Sequence, residues 1–126
     1  MQLHNVHEIQ SVMERYFDGL YHSNSDVLRA VFHQDLVYVN GTLGTYEVMG
    51  LEAYMDRIDA RTPPASRGDP RKEVIERITL KGDRIGIVEA RMTMMGRNYQ
   101  DLLTVINLED GWRVLTKVFS FVERKD

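Results

Sequence analysis

The chain has no cysteine, which excludes disulfides, thiolate metal centres and thiol nucleophiles. Its three prolines all fall between Thr62 and Pro70, so elsewhere no residue is forced to give up a backbone hydrogen-bond donor. No apolar run approaches the ~20 residues of a membrane-spanning helix. Charge of one sign is also missing: 16 basic and 19 acidic residues are interspersed and leave a net charge of −3. Such a balance offers no electrostatic footprint for nucleic acid or for an anionic membrane. The opening MQLHNVHEIQ has no basic region followed by an apolar core, so it does not read as a signal peptide. A cytoplasmic protein is the resulting expectation. What is present, 126 residues with 43% hydrophobic and 28% charged content, is the composition of one globular domain over residues 1–126, expected to bury roughly two-thirds of its unfolded surface.

Ile9, Val12, Met13, Tyr16, Phe17 and Leu20 recur at helical spacing and predict an amphipathic helix from about Asn5 to His22. Ser23-Asn24-Ser25-Asp26 then ends it and caps a second short helix through Phe32, since these side chains accept from orphan N–H groups. Leu36–Val39 reads as a strand, and Asn40-Gly41 as a turn into a short strand near Thr45–Val48. Gly50 opens a third helix carrying Leu51, Tyr54, Met55 and Ile58. Thr62–Pro70 (TPPASRGDP) is expected to be a mobile loop, because neither side of it would form a core alone. Beyond it, Lys72–Leu80, Arg84–Met94, Tyr99–Leu108 and Trp112–Val122 read as strands. Their turns fall at Lys81-Gly82-Asp83, Gly96-Arg97-Asn98 and Glu109-Asp110-Gly111. Helices followed by a strand meander indicate an α+β domain with helices on one face of an antiparallel sheet.

The last hairpin, Tyr99 to Phe121, sets two charges, Asp101 and Lys117, among apolar neighbours. With its turn at Glu109-Asp110-Gly111, partners sum to about 220, so Leu108 faces Trp112 and Asp101 faces Phe119. Lys117 then lies diagonally from Asp101 on one face. Both faces read as apolar, with Leu103, Val105, Leu115 and Phe119 on one and Leu102, Ile106, Val114 and Val118 on the other. A half-solvated sheet would alternate apolar with polar. Either the sheet curls so that both faces are covered or its outer face meets a second subunit, and the expectation is a homodimer through that face.

Other candidates have competing structural roles. Tyr16 lies on the apolar stripe of the first helix, and a buried ring there needs a partner for its hydroxyl. His33 follows the second helix, where a histidine favours the helix dipole, and Asp35 suits a turn cap. His4, His7 and His22 lack the i, i+4 pairing of a zinc-binding helix, so no metal and no other cofactor is expected. Met92, Met94 and Met95 with Tyr38, Tyr54 and Tyr99 form either a soft core or a pocket that accepts varied apolar shapes.

In order and in residues the chain resembles the nuclear-transport-factor-two-like superfamily, and most of all its bacterial putative-lumazine-binding branch. The resemblance is carried by Tyr16-Phe17-Asp18-Gly19-Leu20, by Phe32-His33-Gln34-Asp35, and by Tyr99-x-Asp101-x-Leu103 followed by Gly111-Trp112-Arg113-Val114 and Lys117-Val118-Phe119. It implies a cone: a curved antiparallel sheet wrapped around three N-terminal helices and enclosing a pocket. The superfamily includes ketosteroid isomerase, which uses an aspartate base with a tyrosine and a protonated acid as oxyanion donors. By position the oxyanion tyrosine falls on Tyr16, the base on Asn40 and the second acid on Thr104. Asparagine cannot abstract a proton at neutral pH and threonine is a poor carboxylic-acid substitute, so the resemblance does not extend to that mechanism.

The resemblance thus implies a pocket for a small apolar or aromatic molecule. Tyr16, Phe32, Tyr38, Tyr54, Met92 and Phe119 would wall it, with polar contacts from Asp101, Lys117 or Thr104. A pocket enzyme of the isomerase, cyclase or dehydratase kind is the alternative, with Asp101 or His33 as base and Tyr16 as donor. A non-catalytic dimerisation module is the third reading. The family register turns Thr104 inward, which sets Asp101 on the other face, yet it also turns Phe119 inward beside Lys117. A β-bulge in either strand would reconcile the two, and a one-residue slip flips every side chain, so with the register open Asp101 and Lys117 belong equally to pocket or interface.

Overall fold

The structure, a computed structural model, describes residues 2–124. Helix α1 spans Gln2–His22 and buries the whole stripe from Ile9 through Leu20 that its sequence predicts. It stops where Ser23 turns to φ 49° and the Asn24 N–H reaches back to the Gly19 carbonyl at 2.9 Å. The Asn24 side chain then accepts from the Val27 N–H and caps α2, Ser25–Val31. Gly19 lets the two helices meet: a Cβ there would sit 2.7 Å from Leu28 Cδ2.

Strand β1, Phe32–Asn40, follows without a loop and starts earlier than the apolar pattern implies. Short β2, Glu47–Met49, and helix α3, Leu51–Ala60, complete the first half. The Thr62–Pro70 segment is more ordered than its composition suggests. It forms a 3-10 turn over Pro64–Arg67 with Pro64 buried, and the Tyr21 hydroxyl donates to the Asp69 carbonyl at 2.6 Å. Strands β3 (Lys72–Lys81), β4 (Ile85–Met94), β5 (Arg97–Leu108) and β6 (Gly111–Glu123) then form the meander.

The six strands make one curved sheet in the order β2-β1-β6-β5-β4-β3. The sheet is mixed rather than purely antiparallel, because β1 lies parallel to β6. The helices cover its concave side, α1 and α2 against β6 and α3 against β1, in one buried core that includes Val88, Leu103, Val105 and Val114.

Two turns differ from the sequence reading. The β4–β5 turn is Met95-Gly96, with φ 56° and 71°, a two-residue connection of the type I′ kind that matches strand twist. The β5–β6 pairing joins Leu108 to Gly111 and Asn107 to Trp112 near the turn, then Thr104 to Thr116 and Asp101 to Phe119 further out. The register shifts between Thr104 and Val105, so Leu115 is the extra residue of a β-bulge in β6. That bulge decides which side chains face the concave side. Before it Trp112 and Val114 point inward, and after it Lys117 and Phe119 do. Val114 therefore joins the core on the same side as Leu103, Val105 and Phe119, not on the opposite face where unbroken alternation puts it.

Candidate functional site

On β5 the inward side chains are Tyr99, Asp101, Leu103 and Val105, in strict alternation. Asp101 is the polar member, and it is 3% exposed. Its Oδ2 accepts from the Tyr16 hydroxyl at 2.6 Å, while Oδ1 is buried with no partner. Burial first, and then the negative charge of Asp101, push Tyr16 well above the usual tyrosine range, so the phenol stays a donor.

The β6 bulge brings Lys117, 5% exposed, onto the same concave face. Its Nζ donates to the Tyr54 hydroxyl at 3.0 Å and lies 5.0 Å from the ring centres of Tyr16 and Phe119. Burial alone would depress this ammonium; attraction to Tyr54 and Asp101 more than offsets it and holds Lys117 above the ordinary lysine value. Asp101 and Lys117 thus each reach a tyrosine oxygen instead of each other. Together they form a charge-compensated polar floor in an aromatic wall.

Above this floor lies a cavity of about 310 Å³, at the small end of ligand-pocket sizes. Tyr38, Tyr54, Met92, Asp101, Lys117 and Phe119, all singled out from the sequence, line it. Tyr16 and Phe32 lie beneath, fully buried, with ring centres 6.0 Å apart in an edge-to-face contact. Thr104 is a correction: it points to the convex face, where its Oγ1 meets Thr116 Oγ1 at 2.7 Å. Strand alternation from Asp101 requires this, because no bulge interrupts β5 between them. His33 is another. Its Nδ1 accepts the Asp35 N–H at 2.9 Å, a local cap, and it does not line the cavity.

The carboxyl group beside Tyr16 is therefore Asp101, not the position counted back to Thr104. Asn40 does line the cavity, but its amide is engaged locally, donating to Thr45 Oγ1 and accepting from the Thr42 N–H. Among the described residues no group of three or more His, Asp or Glu side chains is arranged to hold a metal.

The sequence reading missed the rim. Arg57, Arg61 and Arg97 line the cavity. Arg57 forks onto Glu47, with Nη2 to Oε2 at 2.6 Å, and Arg97 pairs with Glu123 at 3.1 Å while stacking over the Phe121 ring. Arg61 donates to Ser23 Oγ at 2.8 Å and to the Leu20 carbonyl. A signal exists for Arg57, which shares a face of α3 with Tyr54 at i, i+3; Arg61 is the residue that ends the helix, with extended backbone. The three residues of Thr62–Pro70 that form the 3-10 turn beyond Pro64 do not line the cavity, so this segment is not its wall.

A curved mixed sheet around three helices, open to a cavity at one end, defines a protein of the nuclear-transport-factor-two-like class. Solved structures agree at the level of fold. An NTF2-like protein of unknown function from Shewanella baltica superposes with a TM-score of 0.84 at 19% identity, covering 97% of this chain and 97% of that one. One from Silicibacter pomeroyi gives 0.81 at 18% identity, covering 97% and 99%. A ketosteroid isomerase-like protein from Erwinia carotovora gives 0.71 at 12% identity, covering 92% and 95%. Residues 4–120 match the model of the family described as "Putative lumazine-binding", and the chain belongs to that family. No curated protein matches it. Among the described residues no helix is long and apolar enough to cross a membrane.

Proposed function

We propose that residues 1–126 form one small-molecule-binding domain whose ligand enters the concave cavity and donates a hydrogen bond to Asp101. One observation carries this reading: Asp101 Oδ1 is buried without a partner at a cavity otherwise walled by tyrosine, phenylalanine and methionine. An unpaired buried acceptor costs about 1–3 kcal/mol, and a bound N–H or O–H removes that cost. The family description names lumazine, a flat heterobicycle with ring N–H donors, which is chemistry that suits this acceptor. The test is a thermal-shift and calorimetric titration with lumazine and with flat aromatic alcohols. A ligand at ~100 times its dissociation constant stabilises the fold by about 2.7 kcal/mol. If no compound of this kind binds, and Asp101→Asn leaves the response of the whole panel unchanged, the reading fails.

The same unpaired oxygen favours a second reading, in which the pocket is an enzyme and Asp101 takes a proton from a carbon or oxygen acid while Tyr16 fixes the other carboxylate oxygen. Turnover of a bound carbonyl compound, abolished in Asp101→Asn, would distinguish it from simple binding.

The working unit we propose is a cytoplasmic homodimer joined through the convex face. Val118 pairs with Leu102 on one side and Val39 on the other, and Val118 and Leu102 are exposed. They form an apolar row that water contacts in a monomer.

A further inference from the structure

We propose that the pocket selects organic anions, with Arg61 holding the negative group at the mouth while Asp101 accepts a hydrogen bond from the far end of the same molecule. The inference rests on the binding reading above and adds the charge class of its ligand.

Three arginines line the mouth. Two have carboxylates: Arg57 with Glu47 and Arg97 with Glu123. Arg61 has only neutral oxygens, from Ser23 and Leu20. Burial is the largest influence on it and pulls it below the usual arginine value, the neighbouring charge of Arg67 acting in the same direction; an arginine nonetheless remains charged. The floor is already balanced, since Asp101 and Lys117 compensate each other. The surplus at this cavity is therefore one cation, half-buried and lacking a counter-charge.

A guanidinium presents five N–H donors in a rigid fork. Two positions of Arg61 are used, on Nε and Nη2, and these two bonds fix the plane of the group against the end of α1. A fork fixed in this way is pre-organised to meet a carboxylate, which loses less entropy on binding than a free side chain would require. Between this cation and the Asp101 acceptor the wall is apolar and sulfur-rich, from Met92 and Met94 to Tyr99 and Phe119. The complementary ligand is a flat acid with its carboxylate at one end and an O–H or N–H at the other.

The probes are para-hydroxycinnamate, its amide para-hydroxycinnamamide, and para-methoxycinnamate, titrated calorimetrically against the full chain. The expected result is that the acid binds at least about tenfold tighter than the amide and the methyl ether. Arg61→Met should bring acid and amide to within about twofold of each other, and Arg61→Lys should restore part of the preference for the acid. Because Arg61 also ties α3 to α1, the salt dependence of acid binding to the unmodified chain gives a second readout that needs no variant. Affinity for the acid should fall between low and high ionic strength while affinity for the amide stays level. Equal binding of acid and amide to the unmodified chain overturns the anion proposal and leaves the pocket reading standing. An acid preference that survives in Arg61→Met removes Arg61 from the role. Absence of binding by all three probes at millimolar concentration overturns both readings.

Discussion

The Tyr16 hydroxyl donates to Asp101 Oδ2 at 2.6 Å across 85 positions of sequence, and so ties the first helix to the fifth strand at the base of the cavity. Neither partner is exposed to solvent to any useful degree, so water cannot replace the bond if one side is lost. Tyr16→Phe should cost about 1–3 kcal/mol, the price of leaving a second carboxylate oxygen unpaired. Urea unfolding measures it, and a loss below about 0.5 kcal/mol would show that water reaches Asp101.

Removing Lys117 is expected to be worse. Lys117→Met leaves the Asp101 carboxylate buried without compensation and should destabilise by about 3–5 kcal/mol. Replacing both together, Lys117→Met with Asp101→Leu, should recover most of that loss, since a buried charge pair exchanged for apolar groups is often neutral. Equal destabilisation by the single and double variants would argue that packing, not charge, dominates at this floor.

Alkali should unfold the protein readily. Tyr16 and Lys117 both hold their protons more tightly in the folded chain than in the unfolded one. Below the unfolded values, about 10 for each type, folded and unfolded states are equally protonated at these sites. As pH rises beyond that, the unfolded chain releases protons that the folded one keeps, and stability falls. Denaturation midpoints should therefore drop between about pH 9 and pH 11, and Tyr16→Phe should drop less steeply than the unmodified chain.

Gly19→Ala tests the contact between the first two helices. Alanine gains about 1 kcal/mol of helix propensity over glycine, but the new methyl would lie 2.7 Å from Leu28 Cδ2 and 2.8 Å from its Cγ. Leu28 is fully buried, so its side chain must shift within the core to admit the methyl. A net loss of about 1–2 kcal/mol is expected from overpacking, and a rise in Tm would mean that α2 shifts freely.

Charge on the convex face should dissolve the proposed dimer. Val118→Glu and Leu102→Glu face each other across β5 and β6, so either one places a carboxylate in the centre of the apolar row. Small-angle scattering is expected to show a dimer for the unmodified chain and a monomer for both variants. A monomeric unmodified chain would remove the interface altogether.

How much of this was legible in advance follows from where the physics is local. The first helix was legible because its six apolar residues are all buried on one stripe, and the Asn24 cap because a side-chain acceptor before a helix has few other uses. Strand β1 hid its beginning because Val31 and Phe32 are both apolar and suit the end of a helix as well as the start of a strand. The β4–β5 turn was placed one residue too late, since Met95 at φ 56° carries none of the glycine or asparagine chemistry that marks such a position. Thr104 was misassigned because the count back from the last turn lands one phase away from Asp101, and only alternate side chains of β5 share the concave face. Arg61 was overlooked because a charge at a helix end ordinarily reads as solvated. Only the closure of the sheet around α3 turns it toward a cavity.

The bulge at Leu115 acts on β6 as a frameshift acts on a reading frame. Everything after it is presented in the other phase: Lys117 and Phe119 inward, Thr116, Val118 and Ser120 outward. Absorbing Leu115 into regular pairing, with no bulge, would exchange the two sets, sending Val118 and Ser120 into the cavity and Lys117 to the convex face. Pocket chemistry and surface chemistry on this strand therefore cannot drift independently. The bulge couples them: without Leu115 the same side chains would face the cavity in unbroken alternation, whereas with Leu115 paired regularly the eight positions from Thr116 to Glu123 would all turn over.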